Sequence, residues 1–288
     1  MAIRKILLPL SSAAAGESAL ATALVVARIW GAHIAALHVH VDSRDVAPLA
    51  GEGLSGAMIE EMMAATEKES GERAASVHAL FDRAIAAQGI ASAAPPAGER
   101  IATASFTAAV GREEELVAQQ ARLADLTVVA HPDAGGDGAS ADALHAVLFD
   151  SGRPVLLAPQ DAPTTIGRRV CVAWNGTAES ASAVSAALPW LEKAEAACIL
   201  SSEGYQRRGP PAEELVPYLA LHGVSAEIKL FGPVEGMVGA GLLAAAAEFG
   251  ADLVAMGAYS HSRLRQLILG GVTRHVLEFA RLPILMNR

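Results

Sequence analysis

The chain has few cysteines and few basic residues. Only two cysteines occur in 288 residues, which excludes the disulfide framework that holds small secreted domains together. The 22 lysines and arginines are outnumbered by 31 acidic residues, and the resulting net charge of −9 opposes binding to nucleic-acid phosphates or to an anionic membrane surface. We therefore expect no nucleic-acid partner and no membrane association.

Long uncharged apolar runs are also missing, although 52% of the residues are hydrophobic. A membrane-spanning helix needs about 20 mostly apolar residues, and the longest candidates, residues 19–30 and 237–249, are interrupted by Arg28 and Glu248. No signal-peptide pattern follows the first basic residues. Only 4% of residues are aromatic, so the apolar mass is aliphatic. The composition predicts a soluble cytoplasmic protein with reduced thiols.

An internal repeat organises the chain. Three landmarks recur in the same order in two copies: residues 4–12 and 168–176, 124–129 and 251–256, and 153–157 and 282–286. Such an ordered recurrence is improbable by chance and fixes the architecture. We predict two homologous domains, residues 1–162 and residues 166–288, joined by a linker rich in proline.

Each copy alternates short apolar runs with stretches of helical periodicity, which predicts βαβ units and an α/β fold. The runs are continuous rather than alternating, as expected for parallel strands buried on both faces. Each domain should therefore contain a five-stranded parallel sheet with helices on both faces. The predicted strands are residues 6–10, 33–41, 101–109, 126–130 and 155–158, then 170–174, 197–201, 225–231, 253–256 and 284–286.

Helical spacing predicts helices over residues 17–30, 113–122 and 272–280. The triplet of acids that begins at Glu113 suits the start of a helix, so it is interpreted as a solvated first turn. Residues 51–65 are predicted to form an amphipathic helix whose methionines pack into the core, with an apolar pocket or partner groove as the alternative. Those methionines are Met58, Met62 and Met63.

The clearest chemistry lies in a glycine-containing loop of the second copy. Gly257 ends a predicted strand, and Gly270 and Gly271 precede a predicted helix. Ligands of open α/β sheets lie beyond the carboxyl ends of the strands, and free N–H groups at a helix start attract phosphate. The loop is thus a candidate phosphate site, with a tight turn without ligand as the alternative. Further hydroxyl, titratable and cationic groups come from Thr273, His261, Arg263 and Arg274.

The Ile-Leu-Leu-Pro opening, the order of elements and the Met-Gly…Gly-Gly-Val-Thr-Arg close resemble the universal stress protein family over nearly the whole chain. The resemblance implies two tandem Rossmann-like domains of the adenine nucleotide alpha hydrolase-like type. Nucleotide-binding members carry glycine, two residues, glycine, nine residues, then glycine followed by serine or threonine. Gly257 and Gly270 match this pattern, whereas Ser260 and Gly271 replace a glycine and the final hydroxyl residue.

The resemblance also implies an ATP site in the second copy, with or without Mg²⁺. Asn175 stands where the family usually has an aspartate that contacts adenine, although Asn175 and Gly176 could instead form a turn that caps the next helix. Backbone near Ser202 would provide a second adenine contact, and Gly257 would lie beside the ribose. The phosphates would be cradled by Ser260, Gly270, Gly271, Val272 and Thr273.

The first copy departs further from the family pattern. Ser11 occupies the aspartate position, and Pro132 removes a backbone donor from the corresponding loop. The loop region has also gained acids that would repel a triphosphate: Asp133, Asp137 and Asp142. We expect no nucleotide site here. The resemblance implies that residues 155–158 and 284–286 pair the two domains, and that two chains could form a homodimer.

Other combinations of residues are weaker. His38 and His40 share one face of a strand, but no third ligand is evident, so no metal site is expected. Cys171 and Cys198 lie on neighbouring predicted strands and are interpreted as buried free thiols. No nucleophile elbow is present. The family resemblance implies a binding or regulatory role in the stress response, with a nucleotide-free interaction scaffold as the alternative and slow ATP hydrolysis through His261 as a third hypothesis.

Overall fold

The computed structural model describes residues 2–40, 56–94, 98–132, 139–202, 209–259 and 271–288. The first half contains, in chain order, β1 (Lys5–Pro9), α1 (Ala13–Trp30), β2 (His33–His40), α2 (Gly56–Ala87), β3 (Ala91–Ser92), β4 (Thr103–Val110), α3 (Glu113–Ala121), β5 (Leu126–Val129), α4 (Ala139–Asp150) and β6 (Val155–Leu157). The second half contains β7 (Arg169–Ala173), α5 (Ala178–Leu191), β8 (Ala196–Ser201), α6 (Ala212–Leu221), β9 (Ala226–Leu230), α7 (Val238–Phe249), β10 (Leu253–Gly257), α8 (Val272–Phe279) and β11 (Ile284–Asn287).

All eleven described strands belong to one sheet, in the order β3-β4-β2-β1-β5-β6-β11-β10-β7-β8-β9. Neighbouring strands within each half are parallel, and the two halves meet where β6 and β11 pair antiparallel, with Leu157 opposite Ile284 and Val155 opposite Met286. The predicted α/β class with two Rossmann-like units is confirmed. The second half has the five predicted parallel strands, and the first half adds the two-residue β3, which has no apolar pattern to predict it.

Helices cover both faces of the sheet because successive strand residues point to opposite sides. Ile6 and Leu8 join a core under α1, α2, α5 and α6, whereas Leu7 joins a core under α3, α4, α7 and α8. β5 is buried at every position, as expected for a strand covered on both sides. On the first of these faces, Trp30 and Trp190 pack edge to face across the two halves, with ring centroids 5.3 Å apart.

One landmark of the repeat is an aspartate that makes the same kind of hydrogen bonds in both halves. The Asp125 carboxylate accepts hydrogen bonds from the backbone N–H groups of Arg4 and Lys5 at 2.8 and 3.0 Å. In the second half, Asp252 accepts from Gly167, Arg168 and Arg169 at 3.1, 3.1 and 2.8 Å. Asp125 thus holds the start of β1 beside β5, and Asp252 holds the start of β7 beside β10.

Helix α1 begins earlier than predicted, because Ser12 caps it by accepting a hydrogen bond from the N–H of Ala15 at 3.3 Å. It ends at Gly31, which has a left-handed φ of 59°. Among the described residues, this is the one helix long and apolar enough to cross a membrane by length and composition. It packs on the sheet with 56% of its residues buried, as the core helix of a globular fold does.

The prediction that the methionines pack into the core was wrong for Met58 and Met62, and Met63 is half-buried. Helix α2 is 32 residues long, and it is buried at Val77, Phe81 and Ile85, in its second half. Met58 and Met62 lie in its first half with 50% and 40% of their surfaces exposed, so they are not core residues. Amphipathic spacing cannot show how far a helix continues past the edge of the sheet that it covers. Residues 51–55 of the predicted helix lie outside the described residues.

Candidate functional site

A small cavity of about 60 Å³ lies at the carboxyl ends of β7, β8 and β10 in the second half. Ligands of parallel α/β sheets bind at this edge. The cavity brings together five residues that the sequence singled out, and these are Asn175, Ser202, Gly257, Val272 and Thr273. Its walls also include Trp174, Phe231 and Leu242. Sequence reasoning missed these three, although Trp174 and Phe231 directly follow strands and could have been suspected for that reason.

Asn175 forms a turn that also positions the following helix. Its Oδ1 accepts hydrogen bonds from the backbone N–H and the Oγ1 hydroxyl of Thr177, at 3.2 and 3.0 Å. Thr177 in turn caps α5 by accepting from the N–H of Ser180 at 3.3 Å. The turn therefore uses the side-chain oxygen Oδ1 of Asn175. The side-chain nitrogen Nδ2 is the donor that the turn leaves for a ligand.

Gly257 lies at the end of β10 against the first turn of α5. A Cβ atom at this position would lie 2.6 Å from the carbonyl carbon of Glu179 and from the backbone nitrogen of Ser180. The glycine thus has a packing role that does not depend on a ligand. Ser202 follows β8, is 6% exposed, and lines the cavity from the neighbouring strand.

The start of α8 closes the cavity on its third side. Gly271 is the N-cap residue, with an extended φ of −82°, and the first-turn N–H groups of the helix have no partner within the helix itself. Val272 and Thr273 line the cavity, and the Thr273 hydroxyl accepts a hydrogen bond from the N–H of Tyr259 at 3.5 Å. Tyr259 has a left-handed φ of 55°. Gly271 and Arg274 lie against a different cavity, described below.

Part of the predicted phosphate loop lies outside the described residues, which stop at residue 259 and resume at 271. The predicted ligands Ser260 and Gly270, and the side chains of His261 and Arg263, belong to this segment.

The equivalent place in the first half is almost closed. A cavity of only about 10 Å³ lies there, lined by Ser11, Gly16 and Glu113. A Cβ on Gly16 would already meet the side chain of Leu10 at 2.8 Å, which shows how tightly α1 packs on this end of the sheet. Asp133 and Asp137 lie outside the described residues. Glu113 brings a carboxylate to a place where the second half has none among its cavity residues.

A larger groove, of about 1370 Å³, lies between the halves and was not predicted from sequence. It is bordered by α3, α4, α8 and Tyr259. His145 of α4 and Tyr259 are joined across the halves by a hydrogen bond of 2.7 Å between Nε2 and the phenolic oxygen. Asp142 lines this groove. Nothing in the local sequence signals the groove, because its walls come from distant parts of the chain.

The histidines of β2 have structural contacts. His38 donates a hydrogen bond from Nδ1 to the carbonyl oxygen of Leu10 at 2.6 Å. Burial, together with the positive charge of His40 and Arg73, lowers the pKa of His38 below its ordinary value of 6.5. Among the described residues, no group of three or more histidine, cysteine or acidic side chains is arranged to hold a metal ion.

Comparisons with known proteins match the second half of the chain in sequence and the whole chain in fold. The sequence profile described as the universal stress protein family matches residues 167–288. A universal stress protein from Archaeoglobus fulgidus DSM 4304 has a similar fold, with a TM-score of 0.66 and 15% identity over 99% of this chain and 96% of that one. A putative universal stress protein from Pseudomonas aeruginosa UCBPP-PA14 gives a TM-score of 0.53 and 16% identity, over 99% and 93% of the two chains.

No curated protein matches the chain significantly in sequence. The solved structures share the fold over almost the full length, and the family profile covers the half that contains the larger of the two equivalent cavities. Residues 167–288 therefore resemble the universal stress protein family in sequence, and the whole chain shares its fold with solved structures of that name.

Proposed function

We propose that the second half binds an adenine nucleotide, ATP with or without Mg²⁺, and that the protein acts in stress response by binding rather than as a dedicated enzyme. The observation that carries the proposal is the convergence of Asn175, Ser202, Gly257 and the start of α8 on one cavity. These groups lie at the edge of the sheet where α/β proteins bind ligands. The halves would act as domains 1–162 and 166–288 of a cytoplasmic protein.

In this proposal, the adenine ring enters the cavity between Trp174 and Phe231, with the Asn175 amide and the Ser202 backbone at its edge. Gly257 lies beside the ribose. The phosphates then extend along Gly271, Val272 and Thr273, and Ser260 and Gly270, which lie outside the described residues, are proposed as further phosphate ligands. The N–H groups at the start of α8 favour an anion there, because the helix dipole places positive charge at that end.

The size of the cavity favours a second candidate function, that of a nucleotide-free interaction scaffold. About 60 Å³ is far below the roughly 300–1,000 Å³ of an ordinary small-molecule pocket. The turn at Asn175 also favours this function, because the side-chain oxygen Oδ1 already accepts two hydrogen bonds. Under this alternative, the chain would interact with other proteins, or with a second copy of itself, and no nucleotide would be needed.

Calorimetry with ATP and Mg²⁺ on the full-length protein distinguishes the two functions. We expect saturable heat and a rise in the melting temperature, since a ligand that binds only the folded state stabilises it. No heat and no shift at millimolar ATP would refute nucleotide binding and favour the scaffold. Phosphate release by the wild type and by a His261→Ala variant tests slow ATP hydrolysis in the same samples.

A matched pair of threonine variants locates the site. Thr273→Val removes the hydroxyl beside the start of α8 and should weaken ATP binding several-fold. Thr127→Val is the control, because Thr127 is also buried but lies on β5 in the first half. Equal affinities for the two variants would mean that any nucleotide bound by the protein lies elsewhere. Asn175→Asp keeps the turn acceptor and introduces the residue usual in the family, so it should retain binding.

A further inference from the structure

The only two cysteines of the chain lie side by side in the sheet. Cys171 of β7 and Cys198 of β8 are direct partners in the parallel register of these strands. Both side chains are fully buried, and they belong to the same core cluster under α7. Because residues directly paired in a sheet have side chains on the same face, the two cysteine side chains lie next to each other on one face of the sheet.

The geometry points to an oxidative modification site: we propose that Cys171 and Cys198 form a reversible intramolecular disulfide when the protein meets a hydroperoxide. Adjacent strands are about 4.7–4.9 Å apart, which lies within the Cα separation of about 4.4–6.8 Å that a disulfide spans. No strand has to change register for the bond to form.

The register pairing of the two buried thiols makes them unequal in acidity. The Cys171 thiol donates a hydrogen bond to the Cys198 sulfur, and this bond lowers the pKa of Cys198. The same hydrogen bond, together with burial, raises the pKa of Cys171. Cys198 is thus the sulfur that more readily becomes a thiolate and acts as the nucleophile, and Cys171 is the resolving thiol.

The chemistry balances with one hydroperoxide per pair. The Cys198 thiolate attacks the outer peroxide oxygen, the O–O bond breaks, and the alcohol or water leaves with a proton from the medium. This leaves a sulfenic acid on Cys198. The Cys171 sulfur then attacks the Cys198 sulfur, the S–O bond breaks, and hydroxide leaves as water with the Cys171 proton. Two thiols lose one electron each, and the peroxide gains two.

The cavity of the second half lies close to the two cysteines and is the approach that we propose for a small oxidant. Ala173 and Leu200 form the next register pair on the same face of β7 and β8, and both line that cavity. Leu242 of α7 also lines it and packs in the same core cluster as the two cysteines. The floor of the cavity is therefore one pair of residues away from the thiols.

The test is a time course of hydrogen peroxide treatment on the full-length protein, followed by unfolding and alkylation. We expect both thiols to disappear together, the intact mass to fall by two hydrogen atoms, and a thiol reductant to restore both. Trypsin cleaves after Lys193, between the cysteines, so the disulfide appears as two linked peptides. The proposal is overturned if both thiols stay alkylatable at a dose that oxidises the urea-unfolded chain, or if oxygen is added without a link.

Cysteine variants separate the roles of the two sulfur atoms, and leucine variants test the proposed approach of the oxidant through the cavity. Cys171→Ser should leave a sulfenic acid on Cys198 that dimedone traps, whereas Cys198→Ser should react several-fold more slowly with peroxide. Leu242→Ala opens the layer above the pair and should speed disulfide formation several-fold. Leu144→Ala is its control, because this leucine is equally buried in the first half. Equal acceleration by both leucine variants would contradict the proposed route.

Discussion

Replacing Gly257 by alanine tests whether this glycine is required by packing before any ligand is considered. The new Cβ would lie 2.6 Å from the carbonyl carbon of Glu179 and from the nitrogen of Ser180, whereas ordinary contacts begin near 3.4 Å. The first turn of α5 and the end of β10 must therefore separate by about 0.8 Å, and both obstructing groups are backbone rather than a flexible side chain. Overpacking of this kind costs about 2 kcal/mol.

For a chain of 288 residues, an unfolding entropy of about 2.1 cal/mol/K per residue turns that loss into a fall in the melting temperature of about 3 °C. Differential scanning calorimetry and urea unfolding, both without nucleotide, measure it. Gly71→Ala is the matched control, because Gly71 lies in the exposed part of α2 with nothing within 4 Å of its added Cβ. That change should instead stabilise the protein by about 0.5–1 kcal/mol. If Gly257→Ala melts at or above the wild type, the packing explanation is refuted.

Three further predictions concern stability. Asp252→Ala removes the acceptor of three backbone N–H groups at 2.8–3.1 Å and should cost about 2–3 kcal/mol, measured as a lower urea midpoint, whereas Asp161→Ala, on an exposed linker residue, should change little. Trp190→Ala removes the partner of Trp30 across the two halves and should cost about 3–5 kcal/mol; an unchanged melting temperature would contradict this. Because the pKa of His38 is lowered by burial, the unfolded chain takes up a proton near pH 6.5 that the folded chain does not. The contribution of His38 to stability should thus be fully present above pH 6.5 and be lost as the pH falls from 6.5 toward the lower pKa of the folded state. His38→Asn should show a weaker decline than the exposed control His222→Asn.

The strands were predictable because their aliphatic runs are continuous, and burial on both faces imposes that pattern. β5 and β11 were located almost to the residue in this way. β3 was not, because Ala91 and Ser92 are exposed and carry no apolar signal. The length of α2 was also missed, since periodicity cannot reveal where a helix leaves the sheet.

The candidate site was predictable in part. The repeat and the family resemblance singled out Asn175, Ser202 and Gly257, which line one cavity in the fold. Local sequence could not show that α5 crowds Gly257, because that contact joins residues far apart in the chain. The groove beside Tyr259 and His145 was missed for the same reason, as its walls come from both halves.

The antiparallel pairing of β6 with β11 has a consequence for how far the sequences of the two halves can differ. When two identical chains pair about a two-fold axis, every substitution appears on both sides of the seam, so neither side can change alone. Here both sides of the seam lie in one polypeptide, and each strand is encoded separately. One half can thus change at the joint without the same change in the other, and the two equivalent cavities already differ in volume, at about 60 and 10 Å³.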